Sequence, residues 1–262
     1  MASSKILFDV ADGVATLRLN DPARLNAVST EMIEEMRAAI AGVARSARAM
    51  VLAGSDKAFC SGANLAGGLG LEAIGPDFDA GASLEQSINP LMLALRDLEI
   101  PWIAAVKGAA AGVGASLALA ADLIVAGESA YFLQAFRRIG LVPDGGSTYL
   151  LTRAVGRPRA MEMMLLGEKV PAKQALDWGM INRVTPDGEV EETAFALART
   201  LASGPSRALG LIRRAGWIAT DTDFGTALKI ERELQREAGR DPDFREGVQA
   251  FLEKRPARFG AR

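Results

Sequence analysis

Residues 102–127, WIAAVKGAAAGVGASLALAADLIVAG, contain a strand, a glycine loop, a helix and a second strand in that order. WIAAV and LIVAG are short apolar runs, which is the pattern of short buried strands. The segment ASLALAAD between them follows the glycines and is helix-like. Because strand, loop and helix alternate in this way along much of the chain, we predict an α/β fold with parallel strands.

The pattern extends upstream and downstream of this segment but stops near residue 190. Before it, VATLRLN predicts a strand by alternation, Ser29 or Thr30 is a suitable N-cap for a helix, and AMVLAG predicts a buried strand. After it come a short strand at AYF and helices at STYLLTRAV and PRAMEMMLLG. Beyond 190 only helix-like segments follow. We therefore predict a core over residues 1–190 and a helical region over residues 191–262 that packs on the core and on neighbouring subunits.

The composition excludes several classes of function. The 262 residues carry a net charge of -2, so we expect neither nucleic acid nor an anionic membrane as a partner. One cysteine permits no intrachain disulfide, no apolar run is long enough to span a bilayer, and the N-terminus lacks a signal-peptide pattern. These features favour a cytoplasmic location. The sequence contains no histidine, so any acid or base must be Asp, Glu, Lys, Tyr or Cys.

The glycine loop at Gly112-Val113-Gly114 is a candidate binding site. It lacks the third glycine of a dinucleotide-binding loop, because position 117 is Leu, and it lacks a P-loop lysine. Its small residues are also compatible with close packing of helix on sheet. However, N–H groups around Val113 open a helix and are unpaired donors at its positive end, where glycines allow close approach of a ligand.

A second loop of the same kind occurs in AFCSGANL. Ser61-Gly62 predicts a tight bend after a strand, and we expect Ala63 to begin a helical turn. Residues 67–83, rich in Gly, Pro and Asp, predict a mobile surface loop that carries specificity. Two glycine loops at strand ends can aim one N–H each at the same oxygen, which is an oxyanion hole built from backbone.

Five motifs in this order resemble the enoyl-CoA hydratase/isomerase (crotonase) superfamily over nearly the whole chain. They are RLNAVS, AFCSGANL, VKGAAAGVGASLALAADLIVA, GLVPDGGSTYLLTRAVG and AMEMMLLGEKVPAKQALDWGMINRV. SLEQSINPLM, PDGG and DFREGVQAFLEKR further resemble the branch that isomerises a ring epoxide in phenylacetate breakdown.

The resemblance implies a spiral of ββα turns and a C-terminal helical region that builds a homotrimer or a hexamer of two trimers. It implies a coenzyme A thioester as substrate, with no separate cofactor and no metal. The two oxyanion donors carry over to the N–H groups of Ala63 and Val113. The expected acyl-CoA contacts are Arg24, Ala27, Ser61, Ala63, Asn64, Leu65, Gly112, Val113, Gly114 and Pro143.

The departures from the family pattern bear on the reaction. Hydratases of the family use two glutamates to position and split water, and the corresponding residues here are Ser116 and Phe136. Asp144 matches the carboxylate of isomerase members. On local sequence alone, Asp144 in PDGG could instead be a turn residue that caps the following helix. With both glutamates missing we favour a base, whose pKa apolar neighbours would raise.

We therefore predict an acyl-CoA isomerase that shifts a double bond or rearranges a ring epoxide through an enolate, with Asp144 as the single acid/base. The alternatives are an enoyl-CoA hydratase that recruits water by other groups, and a family member that binds acyl-CoA without turnover. Four other residues carry weaker expectations. Cys60 is expected to pack, Ser116 to fill space or hydrogen-bond locally, Lys107 to be solvated, and Tyr149 to lie in the core or the acyl pocket.

Overall fold

The computed structural model describes residues 4–64, 75 and 77–260. Leu65 and most of the predicted loop 67–83 lie outside these residues. The chain forms two sheets, whose strands we number in chain order. The larger sheet has the order β1 (Ile6–Ala11), β2 (Val14–Leu19), β3 (Ala49–Ala53), β5 (Trp102–Val106), β7 (Leu123–Gly127), β10 (Arg183–Thr185). The smaller sheet has the order β4 (Ala58–Cys60), β6 (Ala109–Ala111), β8 (Tyr131–Leu133), β9 (Lys169–Pro171).

Successive strand pairs are divided between the two sheets. In each of the pairs β3–β4, β5–β6 and β7–β8, the first strand joins the larger sheet and the second joins the smaller one. All strand pairings are parallel except β1 with β2 and β8 with β9. A helix follows each of these pairs, so the chain advances as a spiral of ββα turns. The predicted α/β class with parallel strands is confirmed.

The strands of the smaller sheet were only partly predicted. We placed AFC, which is β4, and AAA, which is β6, inside loops, and β1 was not assigned. A strand of three residues is too short to show alternation, and alanine favours strands only weakly. These strands exist because each pairs with a neighbour that is distant in sequence.

All the helices given below except α5 correspond to predicted helical segments. Their bounds are α1 (Thr30–Ile40), α2 (Asn89–Arg96), α3 (Val113–Leu119), α4 (Ser147–Leu166), α5 (Ala172–Asp177), α6 (Val190–Ala202), α7 (Ser206–Ala219), α8 (Phe224–Ala238) and α9 (Pro242–Glu253). The predicted N-cap of α1 is confirmed, since the Ser29 side chain accepts a hydrogen bond from the Met32 N–H. Gly156, with φ 75° and ψ 159°, divides α4 into the two predicted helical segments.

The larger sheet has apolar residues on both faces. One face belongs to the main core, which it forms with the smaller sheet and α1 to α3. The other face packs on α6, whose Val190, Ala194 and Ala198 recur every four residues and are fully buried. Helices α8 and α9 instead leave large apolar side chains exposed, among them Phe224, Phe244, Phe251 and Leu252. The division at residue 190 and the assembly of subunits stay predictions.

Candidate active site

The two glycine loops meet at one edge of the smaller sheet. Strands β4 and β6 pair in parallel, so their carboxyl ends lie side by side. Gly62 follows β4 with φ +108°, and Gly112 follows β6 with φ +52°. A Cβ on Gly112 would lie 3.6 Å from the Gly62 Cα. The glycines that precede Ala63 and Val113 are therefore in contact, and they bring the two predicted donors together.

The backbone around Ala63 leaves its N–H without an internal acceptor. Ala63 and Val28 form a parallel bridge, in which the Val28 N–H donates to the Gly62 carbonyl at 2.7 Å and the Asn64 N–H donates to the Val28 carbonyl at 2.9 Å. The Ala63 N–H consequently points away from Val28. The prediction that Ala63 begins a helical turn is therefore wrong, because Ala63 lies in extended backbone.

The N–H of Val113 also lacks an acceptor among the described residues, for a different reason. It is the first residue of α3, with Gly112 as the N-cap, so no earlier turn of helix can accept from its N–H. Within the described ranges, neither the Ala63 N–H nor the Val113 N–H donates to another residue. The site therefore holds two neighbouring backbone donors, as an oxyanion hole requires.

The loop that carries Asp144 packs directly on α3, the helix that carries the Val113 donor. A Cβ on Gly145 would lie 3.2 Å from Val113 Cγ2 and 2.9 Å from Ser116 Cβ, so only glycine permits this approach. Asp144 is half-buried, and its Oδ1 atom is buried without a hydrogen-bond partner. Burial raises the pKa of the Asp144 carboxyl to about 6.

The carboxylate of Asp144 does not cap helix α4. The N-cap residue is Gly146, and no side chain accepts a hydrogen bond at this helix end. Only the backbone carbonyl of Asp144 contributes there, by accepting from the Ser147 N–H at 3.0 Å. The cap interpretation is therefore wrong, and the carboxylate is left available as a base.

The two positions that hold glutamates in hydratases cannot act as carboxylates here. The Ser116 hydroxyl donates to the Asp144 carbonyl at 2.9 Å. Phe136 is buried, and its ring Cζ would lie 3.8 Å from a Cβ on Gly112. An apolar ring thus lines the glycine loop where a water-binding group would be needed for hydration.

The predicted coenzyme A wall also comes together. The Ser61 N–H donates to the Leu25 carbonyl at 3.0 Å, and the Ser61 hydroxyl donates to the Arg24 carbonyl at 3.2 Å. Arg24 is exposed at the outer edge of this wall, where it also forms an ion pair with Asp21, and Ala27 is buried behind it. Asn64 lies at the same edge, and Leu65 is outside the described residues.

Asn26 organises this wall and was missed in the sequence. Its side-chain amide donates to the carbonyls of Ala58 at 2.9 Å and Phe59 at 3.2 Å, and its Oδ1 accepts from the Asp21 N–H. Asn26 is fully buried and has φ 55°. The only signal was an asparagine in the apolar setting of RLNAVS, which local pattern does not distinguish from a turn residue.

Several other predicted residues lie beside the site or away from it. A Cβ on Gly114 would lie 2.8 Å from Cys60 Sγ, so this glycine is required for packing, and its contact with substrate stays a prediction. Burial raises the pKa of the Cys60 thiol to about 12.

Lys107 is not a free solvated lysine but forms an ion pair with Asp56, with 2.8 Å between Nζ and Oδ1. Pro143 is half-buried next to Asp144.

A cavity of about 730 Å³ lies on the other side of the Asp144 loop. Gly145 and Gly146 form part of its wall, whereas Asp144, Ala63 and Val113 do not. The Tyr149 hydroxyl also lies in this wall, where it hydrogen-bonds the Asp221 carboxylate at 2.9 Å. Tyr149 therefore belongs to this cavity, which no sequence pattern indicated.

The described ranges contain no group of three or more His, Cys, Asp and Glu residues that could hold a metal ion. No helix in the same ranges is long and apolar enough to cross a membrane.

Comparison with known proteins adds an independent line of evidence. The model of the family described as enoyl-CoA hydratase/isomerase matches residues 9–262. The chain is 45% identical to "1,2-epoxyphenylacetyl-CoA isomerase" from Escherichia coli over 97% of each chain. It is 43% identical to "Probable enoyl-CoA hydratase" from Rhodobacter capsulatus over the full length of both. A crystal structure of a putative enoyl-CoA hydratase from Streptomyces coelicolor superposes with a TM-score of 0.91 at 35% identity, covering 98% of this chain and 94% of that one.

Proposed function

The chain belongs to the enoyl-CoA hydratase/isomerase family, and from this premise we propose that it is an acyl-CoA isomerase in which Asp144 is the single acid/base. The observation that carries this proposal is the Asp144 carboxylate, whose Oδ1 is buried without a partner and whose loop packs on Val113. A carboxylate that makes no hydrogen bond with the described residues, on a loop that packs against the helix of the Val113 donor, suits proton transfer next to a polarised carbonyl.

The reaction uses the two donors first. The thioester oxygen accepts from the N–H groups of Ala63 and Val113, which stabilise the negative charge that develops on it. Donors of this kind are each worth about 2.7–4 kcal/mol of the barrier. The expected acyl-CoA contacts extend from this point along the wall formed by Arg24, Ala27 and Ser61. Nothing in this scheme needs a cofactor or a metal.

Asp144 then moves one proton. Its carboxylate removes a proton from the carbon next to the carbonyl, and the electrons pass into the dienolate held by the two donors. The same carboxyl group returns the proton two carbons along, so the double bond shifts and no atom is gained or lost. A pKa of about 6 lets the group accept and release this proton near neutral pH. The substrate class is an enoyl-CoA or the CoA thioester of a ring-derived epoxide.

Isomerisation is favoured over hydration by the residues beside the base. Phe136 offers water no hydrogen bond, and the Ser116 hydroxyl is committed to the Asp144 carbonyl. The names of the relatives do not decide between the two reactions, since the E. coli protein is an isomerase and the R. capsulatus protein a probable hydratase. A hydratase and an acyl-CoA-binding protein without turnover are the alternatives.

The test compares Asp144→Asn with the control Asp177→Asn, which changes a carboxylate on the exposed end of α5. Both variants and the wild type are assayed for 3-enoyl-CoA isomerisation, 2-enoyl-CoA hydration and turnover of the ring epoxide, by product mass and double-bond position. We expect Asp144→Asn to lower isomerisation by about 10²–10⁴-fold and to retain acyl-CoA binding. Unchanged turnover in Asp144→Asn would overturn the proposal, and a wild type that only hydrates or only binds would select an alternative.

We also propose that the protein assembles through its C-terminal helices as a homotrimer or a hexamer, and that it is cytoplasmic. Phe251 and Leu252 on α9 are 82% and 74% exposed, which is unfavourable for apolar side chains in water. A neighbouring subunit would cover them. The single buried cysteine agrees with a reducing compartment.

A further inference from the structure

We propose that Ser116 is the positioning residue of the reaction, and that its hydroxyl sets the distance between the Asp144 base and the oxyanion hole. The inference rests on the proposed function, since it assumes that Asp144 transfers the proton. It assigns a role to a position at which the reaction itself needs no acid or base.

The Asp144 side chain cannot fix its own orientation. No described group hydrogen-bonds its carboxylate, and the loop contains three glycines with positive φ, namely Gly140 at 72°, Gly145 at 57° and Gly146 at 81°. Such backbone has wide conformational freedom. The position of the base therefore depends on what holds the loop backbone at Asp144.

The Ser147 N–H and two side-chain hydroxyls hold this backbone, and the direction of the hydroxyl hydrogen bonds follows from the available partners. Ser116 Oγ lies 2.9 Å from the Asp144 carbonyl oxygen and 2.6 Å from Ser147 Oγ. Both serines are fully buried, and Ser147 Oγ has no other hydrogen-bond partner among the described residues. Ser147 therefore donates to Ser116, and Ser116 donates its single proton to the Asp144 carbonyl at 2.9 Å, which is nearer than the Gly112 carbonyl at 3.4 Å. The reverse direction would leave the Ser147 proton buried and unpaired.

This chain of hydroxyls joins the base to the oxyanion hole through one helix. Ser116 lies one turn after Val113 on α3, and Val113 supplies an oxyanion donor from the first position of the same helix. The hydrogen bond therefore connects the Asp144 loop to the element that carries the donor. The close approach of Gly145 to Ser116 makes this connection short, and a larger side chain at position 116 would push the loop away.

The test is a set of serine variants measured for kcat, KM and pH dependence. We expect Ser116→Ala to lower kcat by about 10–100-fold, because a displacement of the order of 1 Å at the base is costly, while KM changes less than about twofold. Ser116→Cys, which keeps a weak donor but is slightly larger, should recover part of the loss. Ser147→Ala should have a smaller effect, because Ser116 retains its proton for Asp144. In the pH profile of kcat, the apparent pKa on the acidic side should shift in Ser116→Ala. It should be unchanged in the exposed-surface control Thr200→Ala.

A double-variant cycle separates this inference from the proposed function. If Ser116 acts only through Asp144, Ser116→Ala lowers the residual turnover of Asp144→Asn by less than about twofold. Unchanged kcat in Ser116→Ala, or equal and additive losses in both backgrounds, would overturn the positioning role. If Ser116→Ala fails to fold, Ser116→Cys, whose thiol is a much weaker donor, is compared in the two backgrounds instead. Full turnover in Asp144→Asn would instead refute the proposed function.

Discussion

The Asp144→Asn variant, which we expect to lose most of its activity, is also expected to be more stable than the wild type above pH 6. Burial raises the pKa of Asp144 from its ordinary 3.8 to about 6. The folded protein therefore binds the proton more tightly than the unfolded chain does. The sign follows directly: Asp144 favours folding fully below pH 3.8, and this contribution is lost as the pH rises through 6.

The size of the effect is set by the same pKa difference. The interval between 3.8 and about 6 corresponds to at most about 3 kcal/mol of unfolding free energy. Two factors reduce the gain from substitution. The carboxylate is only half-buried, so water screens part of its cost, and the new amide brings donors that also lack partners. We expect Asp144→Asn to gain about 1–2 kcal/mol at pH 7.5.

The assay is urea unfolding of wild type and Asp144→Asn at one protein concentration, at intervals from pH 4 to pH 8. Other carboxylates titrate in both proteins, including Glu191, whose pKa Arg18 lowers to about 2, so they cancel in the difference. The difference in unfolding free energy should grow in favour of the variant between about pH 4 and pH 6 and then stay constant. A difference that does not depend on pH, or one that shrinks as the pH rises, would refute the assigned environment of Asp144.

Three other perturbations test separate parts of the site and the assembly. The value of kcat/KM should fall about tenfold per pH unit below pH 6, because the base must be ionised, and a profile that stays flat to pH 5 would exclude Asp144. Gly112→Ala should lower kcat by about 10²–10³-fold, because a side chain is unfavourable at φ 52° and ψ -129° and the Val113 N–H would be displaced. The control Gly188→Ala, where a Cβ meets no atom within 4 Å, should leave kcat unchanged. Phe251→Glu should reduce the oligomer mass in light scattering, while Lys173→Glu on the exposed face of α5 should not. Equal masses for wild type and Phe251→Glu would remove Phe251 from the interface.

The main elements of the fold could be predicted because their signals are local. WIAAV and LIVAG are apolar and long enough to be recognised as strands, and they are β5 and β7. The strands β4 and β6 were not recognised, although they bring Gly62 into contact with Gly112. Their three-residue segments carry no period, and they are strands because β4 pairs with β6 and β6 pairs with β8. The two loops could be named in the sequence, but their contact depends on this long-range pairing.

The same distinction applies to the residues of the site. Asp144 could be selected through the family resemblance, which matches it to the isomerase carboxylate and puts Ser116 and Phe136 where hydratases have glutamates. Its raised pKa follows from burial. The failure of the cap interpretation could not be foreseen, since Gly146 and Asp144 are both acceptable at a helix N-terminus. The contacts of Ser116 and Asn26 could not be predicted either, because each residue bonds a partner about 30 residues away in the chain. Ser116 bonds Asp144, and Asn26 bonds Ala58.

The site is held mainly by backbone, and this explains why so few side chains identify it. Ala63 and Val113 are proposed to act through N–H groups that any residue possesses, so the glycine before each one matters more than their side chains. Of the groups proposed to act on the reacting atoms, only the Asp144 carboxyl is a side chain. In this proposal, the reaction type depends on the side chains at positions 116, 136 and 144. Position 116 lies on α3, and positions 136 and 144 lie in the connection from β8 to α4. None of these three side chains is needed for the strand pairing that builds the spiral. A fold of this kind can therefore change its chemistry at three positions while its oxyanion hole stays the same.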